Sequence, residues 1–394
     1  MITRRHLLAS AAAASLIRPR LLAAQTTGVT PVFIKWDAWY DDTQLVTQQF
    51  HQQLSPARWQ FRAPFSCTVL GPERITCAGT QANMDIEIQA AANAGVKAWM
   101  QVWYGGAPNS PGGSTALHRG WQLYDASSYK NMVKWAVYTG LPSFGVSPYS
   151  NTAGWQGNCN YWVNFFTQPN YLKVGGRPVV FVAWSQTDLA TYFANSTANT
   201  LATFNYLRSQ SVAAGAGNPY IIGMDDLSGP ITASQVKGWI GGDAISGYIP
   251  SGAIQFTALP ETAATLYSRT LAHWGSQVAS GDKTVPIALM GWDKRPRMEL
   301  PGFSDGAGYI PWVGHQQYYA RGTNAEIAGH LQACVDFIGA NQPACDSKIM
   351  LVYAWNECAE GGTAGVPTLG DPPVGTPPSS ALLNAIKPVL MAAA

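Results

Sequence analysis

What most constrains the fold of this chain is a period. Eight short runs rich in apolar, β-branched and aromatic residues recur at 31–40, 96–104, 141–149, 178–184, 220–226, 244–250, 284–293 and 348–357. Between them lie stretches with helical spacing, such as 81–94, 127–139, 261–279 and 324–339. Strands that alternate with helices build a parallel sheet, and eight such units are the number that closes a barrel. An open doubly wound sheet would usually carry a glycine-rich phosphate turn after its first strand, whereas "KWDAWYDD" follows here. The expectation is therefore an α/β fold, a (β/α)8 TIM barrel in one domain over 25–394. An insertion at about 51–80 decorates it, and a tail at 362–394 ends in a short helix at 381–391.

Residues 1–24 read as an address. Thr3, Arg4 and Arg5 supply a paired basic start, a weakly apolar stretch runs from Leu7 to Ile17, and Arg18 and Arg20 interrupt it before it could span a bilayer. This is the pattern of a twin-arginine signal peptide and predicts an exported protein, periplasmic or secreted, with no transmembrane segment once matured. Its removal would take four arginines and no acid, turning a formal charge of +2 into −2. A chain so balanced, with 12% charged residues, has no electrostatic footprint for nucleic acid. Export also makes cysteine pairing chemically reasonable. Cys67 and Cys77 bracket one short loop and Cys334 and Cys345 another, so each pair is expected to form a local disulfide, with Cys159 and Cys358 left to pair or stay free. No C-x-x-C or H-E-x-x-H occurs, so neither metal nor other cofactor is expected.

In a parallel barrel the chemistry gathers where the strands end. The expected strand ends carry Asp37, Trp39, Tyr40, Trp103, Tyr104, Tyr149, Trp184, Asp225, Tyr248, Trp292, Asp293 and Asn356, together with Glu357 and Glu360. Aromatic faces and carboxylates in one cleft suit sugars, whose C–H faces stack on flat rings while their hydroxyls bind carboxylates and amides. Any single ring of this set could equally be a wall of the core. Glu357 and Glu360 point further. Two carboxyls three residues apart on a helical turn face one cavity, and their repulsion raises one pKa. One ionised and one protonated carboxyl is what glycoside cleavage uses.

The stretch "AWNECAEGG" resembles the N-E-W-x-E-G signature of glycoside hydrolase family 99, the endo-α-mannosidase family, and its polysaccharide-associated relatives. Segments 86–104, 170–184 and "GWDKRPR" at 291–297 extend the resemblance in the same order, and Arg297 joins the candidate substrate-binding residues through the last of them. The resemblance implies a retaining mechanism in which Glu357 is the base toward the sugar's own 2-hydroxyl and Glu360 the acid/base for the leaving oxygen. The chain departs from the pattern at Cys358, where the family usually has Trp, and after Gly361.

Competing motifs lack their context. "GFSDG" at 302–306 fits the serine-hydrolase expression without a strand before it or a helix after it, and "GAGNPY" lacks the third glycine of a nucleotide turn. The reading is a monomeric, exported glycoside hydrolase acting on an oligo- or polysaccharide. Its alternatives are a barrel that binds glycan without cleaving it and a polysaccharide-assembly, glycosyltransferase-like protein.

Overall fold

The computed structural model describes the chain except residues 1–27, 42, 44, 78, 106–115, 141–151, 184–185, 226–231, 250–255, 257, 259, 300–317 and 394. The expected signal peptide lies outside the described residues, as do Tyr149 and Trp184.

In chain order the strands are β1 (Thr30–Lys35), β2 (Cys67–Gly71), β3 (Arg74–Cys77), β4 (Ala98–Trp103), β5 (Lys134–Gly140), β6 (Lys173–Val174), β7 (Arg177–Ala183), β8 (Tyr220–Asp225), β9 (Ala244–Gly247), β10 (Ile287–Leu289) and β11 (Ile349–Tyr353). Eight of them follow the parallel path β10-β11-β1-β4-β5-β7-β8-β9. The ends of that path meet: Ile245 N donates to Lys283 O and Val285 N to Ile245 O, both at 2.8 Å, just ahead of β10. A sheet joined on both edges leaves no strand unpaired, which is how a barrel avoids exposed edges. The fold is thus the expected TIM barrel.

The helices cover the outside. They are α1 (Leu45–Leu54), α2 (Gln81–Ala94), α3 (Arg119–Ala126), α4 (Thr152–Phe166), α5 (Gln186–Phe193), α6 (Thr197–Ala213), α7 (Ala233–Ile240), α8 (Ala263–Ala279), α9 (Arg295–Met298), α10 (Asn324–Ala340) and α11 (Ala381–Ala393). Their starts are written in the sequence: Thr80, Thr262 and Thr323 each accept a hydrogen bond from the backbone N–H three residues on, and Glu326 completes a capping box with Thr323. None of the described helices is long and apolar enough to cross a membrane.

One helix is a correction. Residues 127–139 read as helix, but a 3-10 turn, Lys130–Met132, and β5 occupy them, while the strand expected at 141–149 lies outside the described residues. Tertiary context decided this. Met132, Trp135 and Ala136 have helical spacing while Val133, Trp135 and Val137 alternate, and Trp135 finds a slot between helices, edge-on to Trp121 and to Phe165 at 5.7 Å each. The ladders to β4 and β7 then hold the segment extended.

Between β1 and β4 the chain inserts α1, a 3-10 turn at Gln60–Arg62 and the antiparallel hairpin β2–β3. Cys67 and Cys77 stand directly opposite each other in that hairpin and are disulfide-bonded. The second expected bridge is not formed: Cys334 and Cys345 are buried free thiols, as are Cys159 and Cys358. Similar spacing does not produce similar geometry. The hairpin register points one pair of Cβ atoms at each other, whereas Cys334 lies inside α10 and Cys345 in the loop beyond it. Non-reducing peptide mapping should recover the Cys67–Cys77 link alone, with the other four thiols alkylated after denaturation. Cys67→Ser with Cys77→Ser should cost about 3 kcal/mol, the loop-closure value for so short a ring.

Candidate active site

β11 is buried along its whole length and delivers the chain to the barrel's C-terminal face. There Glu360 N and Gly361 N both donate to Glu357 O, at 3.3 and 2.8 Å, so the backbone makes one helical turn. That turn brings both side chains to the same side. Asn356 braces its start. Its Oδ1 accepts from Trp36 N and its Nδ2 donates to Trp36 O, both at 2.8 Å, which ties the end of β11 to the end of β1. The amide expected to meet substrate is spent on the scaffold.

One guanidinium holds the two carboxyls together. Arg297, from α9, donates through one terminal nitrogen to Glu357 Oε2 at 3.0 Å and through the other to Glu360 Oε2. Lys294 adds a second cation at 3.1 Å from Glu360 Oε1. Glu357 and Glu360 are 1% and 3% exposed, so no solvent screens this cluster. Burial pushes Glu357 up to about 7; Arg297 opposes this and the neighbouring Glu360 charge adds to it. Glu360 is buried as well, but Arg297 and Lys294 outweigh that cost and hold it below the usual carboxylate range. Charge count explains the split. Two cations face Glu360 directly and one faces Glu357, so near neutrality the pair carries one proton, resting on Glu357.

Aromatic rings surround the pair. Trp36 stacks on Trp39 at 5.8 Å and donates its indole N–H to Tyr248 OH at 3.0 Å. Tyr248 in turn packs edge-on against Tyr353 at 5.0 Å and parallel to Tyr138 at 6.3 Å. Tyr104 lies 6.1 Å from Trp36. The charges of Glu357 and Glu360 raise the pKa of both Tyr248 and Tyr353, after burial, so these phenols stay protonated and able to donate. Trp292 lies 5.8 Å from Tyr353 and beneath the Lys294 ammonium at 4.5 Å.

Trp36, Tyr138, Lys294 and Tyr353 were missed by the sequence reading. Strand parity could have found Trp36, because side chains alternate across the sheet and Trp36 and Asp37 go to opposite sides. No local signal marks Lys294, which acts here only because β10 lies beside β11.

Several expected residues are engaged by neighbouring side chains or closely packed. Trp103 points outward, packed on Trp121 and Trp162 in the helical layer, and is 1% exposed. Asp293 accepts from Arg62 and, at 2.7 Å, from Arg295, which pins the inserted segment to the loop after β10. Both arginines hold its carboxyl below the usual range against burial. Asp37 pairs with Lys35 at 2.5 Å, and Tyr40 OH donates to Glu87 Oε2 at 2.8 Å. Burial pushes Asp37 up to about 6 in spite of Lys35. Gly120 makes this packing possible, since a Cβ there would come within 2.6 Å of both Asp37 Oδ1 and the Tyr40 ring. Asp225 ends β8 half-buried, passing so close over Gly247 that a Cβ would meet its Oδ1 at 2.4 Å. Among the described residues, no three His, Cys, Asp or Glu side chains are placed to hold a metal ion.

No family model matches the sequence, and no curated protein matches it. The fold does have solved counterparts. A GH99 endo-alpha-mannosidase from Bacteroides thetaiotaomicron, solved in complex with BIS-TRIS-propane, superposes with a TM-score of 0.51 over 92% of this chain and 95% of that one, at 14% identity. A second structure of a GH99 endo-alpha-mannosidase from the same organism gives 0.50 over 86% and 87%, at 15% identity. At such identities the likeness speaks for the barrel alone.

Proposed function

We propose that the protein is an exported glycoside hydrolase that cleaves an oligo- or polysaccharide with Glu357 and Glu360. The observation that carries this reading is the pair itself: two buried carboxyls on one guanidinium, sharing one proton near neutrality, at the C-terminal end of a barrel strand and ringed by aromatic side chains. The likeness in fold to two solved structures of a GH99 endo-alpha-mannosidase and the N-E-x-x-E-G run support it. Among the protein's own groups the proton rests on Glu357. A sugar hydroxyl donating to Glu357 would favour its ionised form, and because the groups titrate as a pair the proton would pass to Glu360. That is the ionisation the resemblance calls for, with Glu357 as base toward the 2-hydroxyl and Glu360 as acid to the leaving oxygen.

The pH profile tests the pair. Loss of its single proton should end activity as pH rises through about 7, where Glu357 titrates in the free enzyme. The acid limb should lie below 4.5, the ordinary glutamate value, because Arg297 and Lys294 resist a second proton on Glu360. Measured kcat/KM on an aryl glycoside should therefore fall at both ends, and a profile flat from pH 5 to 9 would reject this assignment. Turnover itself should be sought by screening aryl glycosides and plant and bacterial polysaccharides. Specific binding of a glycan with no cleavage of any would favour the non-catalytic barrel.

A further inference from the structure

Trp39 stands on the 3-10 turn Asp37–Tyr40 that follows β1, half-buried beside the catalytic turn. Two rings lie nearly parallel to its own: Trp36 at 5.8 Å and 17°, and Phe50 of α1 at 4.4 Å and 4°. Both neighbours are themselves anchored. Trp36 donates to Tyr248 OH, and Phe50 sits on a helix tied to the same turn by Thr47 Oγ1, which donates to Ala38 O. Stacked in this way the indole has one plane, and its N–H one direction.

That N–H is buried and completes no hydrogen bond among the described residues. Glu357 Oε1 is in the same condition, while Glu357 Oε2 accepts from Arg297. The two meet: against the burial that pushes Glu357 up to about 7, Arg297, Lys294 and, as a hydrogen-bond donor, Trp39 pull it down. A buried donor beside a buried acceptor, each otherwise unanswered, is a bond waiting for charge. An indole N–H can only donate, and a carboxylate accepts more strongly than a carboxylic acid. The contact is therefore loose while Glu357 keeps its proton and tightens when it ionises.

We propose that Trp39 is a positioning residue for Glu357, its N–H aimed by the Trp36 and Phe50 rings so as to hold Oε1 of the carboxylate in one orientation. Fixing that oxygen leaves its remaining lone pair for an incoming hydroxyl. The contact itself is independent of hydrolysis; only its use in base catalysis rests on the functional reading above. Other titratable groups stand nearby. Asp37, on the same turn, pairs with Lys35, and His51 lies 5.8 Å from Phe50. Around Glu357 are Arg297, Lys294 and Glu360, together with the phenols of Tyr104, Tyr248 and Tyr353 and the Cys358 thiol, all four kept protonated chiefly by burial.

Nitrogen-15 labelling of the 15 tryptophans tests the contact without any substrate. The Trp39 indole resonance, assigned by its loss in Trp39→Phe, should move downfield as pH rises through about 7, where Glu357 ionises. Glu357→Gln should abolish that movement. Glu360→Gln, which removes a neighbouring negative charge, should bring it to lower pH. On an established substrate Trp39→Phe should lower kcat about tenfold or more, the worth of one hydrogen bond to a charged group, with KM little changed. Its basic limb should also move to higher pH, because a donor that favours the carboxylate is gone; a merely structural loss, followed by melting curves, would leave that limb in place. A Trp39 resonance that ignores pH between 5 and 9, or that still titrates in Glu357→Gln, would overturn the proposal. So would a basic limb unmoved in Trp39→Phe. A resonance that titrates as expected in a protein that cleaves nothing supports the contact and rejects the hydrolytic reading alone.

Discussion

Glu360→Gln is expected to lower turnover of a natural glycan by about 10²–10⁴, the range that removal of a positioned general acid costs. The loss should shrink on aryl glycosides with good leaving groups, which need little protonation. Glu357→Gln should be equally damaging on both kinds of substrate, because the attacking hydroxyl must be activated whatever leaves. If the pattern is the reverse, the roles follow the resting proton instead. The two variants should also part in stability. Glu357 already carries its proton near neutrality, so a neutral amide replaces it at little cost. Glu360→Gln deprives Lys294 of its counter-charge and should lower the melting temperature. Near-parental rates for both variants on an established substrate would remove the pair from the mechanism and leave the glycan-binding reading in its place.

Arg297→Met should destabilise the fold by about 3–5 kcal/mol at pH 8, the usual consequence of removing one partner from a buried ionic cluster. The sign of the pH dependence follows from the charges. Without the guanidinium both carboxyls sit in a buried site with less positive charge, so both pKa values in the folded state rise, that of Glu357 further above its unfolded value and that of Glu360 from its lowered position. A carboxyl raised in this way costs stability as pH climbs through the interval between its two values. The penalty should therefore be largest at pH 8 and shrink toward pH 5, as the raised carboxyls of the folded variant take up protons. Denaturant midpoints of parent and variant at the two pH values give the comparison. A penalty that grows on acidification would contradict the arrangement of Arg297 between Glu357 and Glu360.

How far the site could be read in advance depended on how local its determinants are. Glu357 and Glu360 stood out because one segment supplies the buried strand, the turn and both carboxyls. The threonine caps of α2, α8 and α10 were legible for the same reason, since a cap bonds three residues away. The segment of β5 read as helix because "KNMVKWAVYT" satisfies helical and strand spacing alike, and only the neighbouring ladders and the slot for Trp135 choose between them. Asp293 looked like a ligand for sugar because its partner Arg62 lies 231 residues away, and no window on the sequence shows that its carboxylate is already taken. Trp103 misled in the same way, since a tryptophan at a strand end can face the cleft or the helices.

By itself the sequence determined the alternation of strands and helices, hence the parallel barrel, and the carboxylates that end its last strand. Both depend on contacts within one or two turns of chain. Tertiary structure alone decided which candidates share a cavity and which are braces, and where the single proton of the pair rests. Those outcomes depend on burial and on charges such as Arg297 and Lys294, sixty or more residues distant from the glutamates they govern, and burial and electrostatic balance exist only once the barrel has closed.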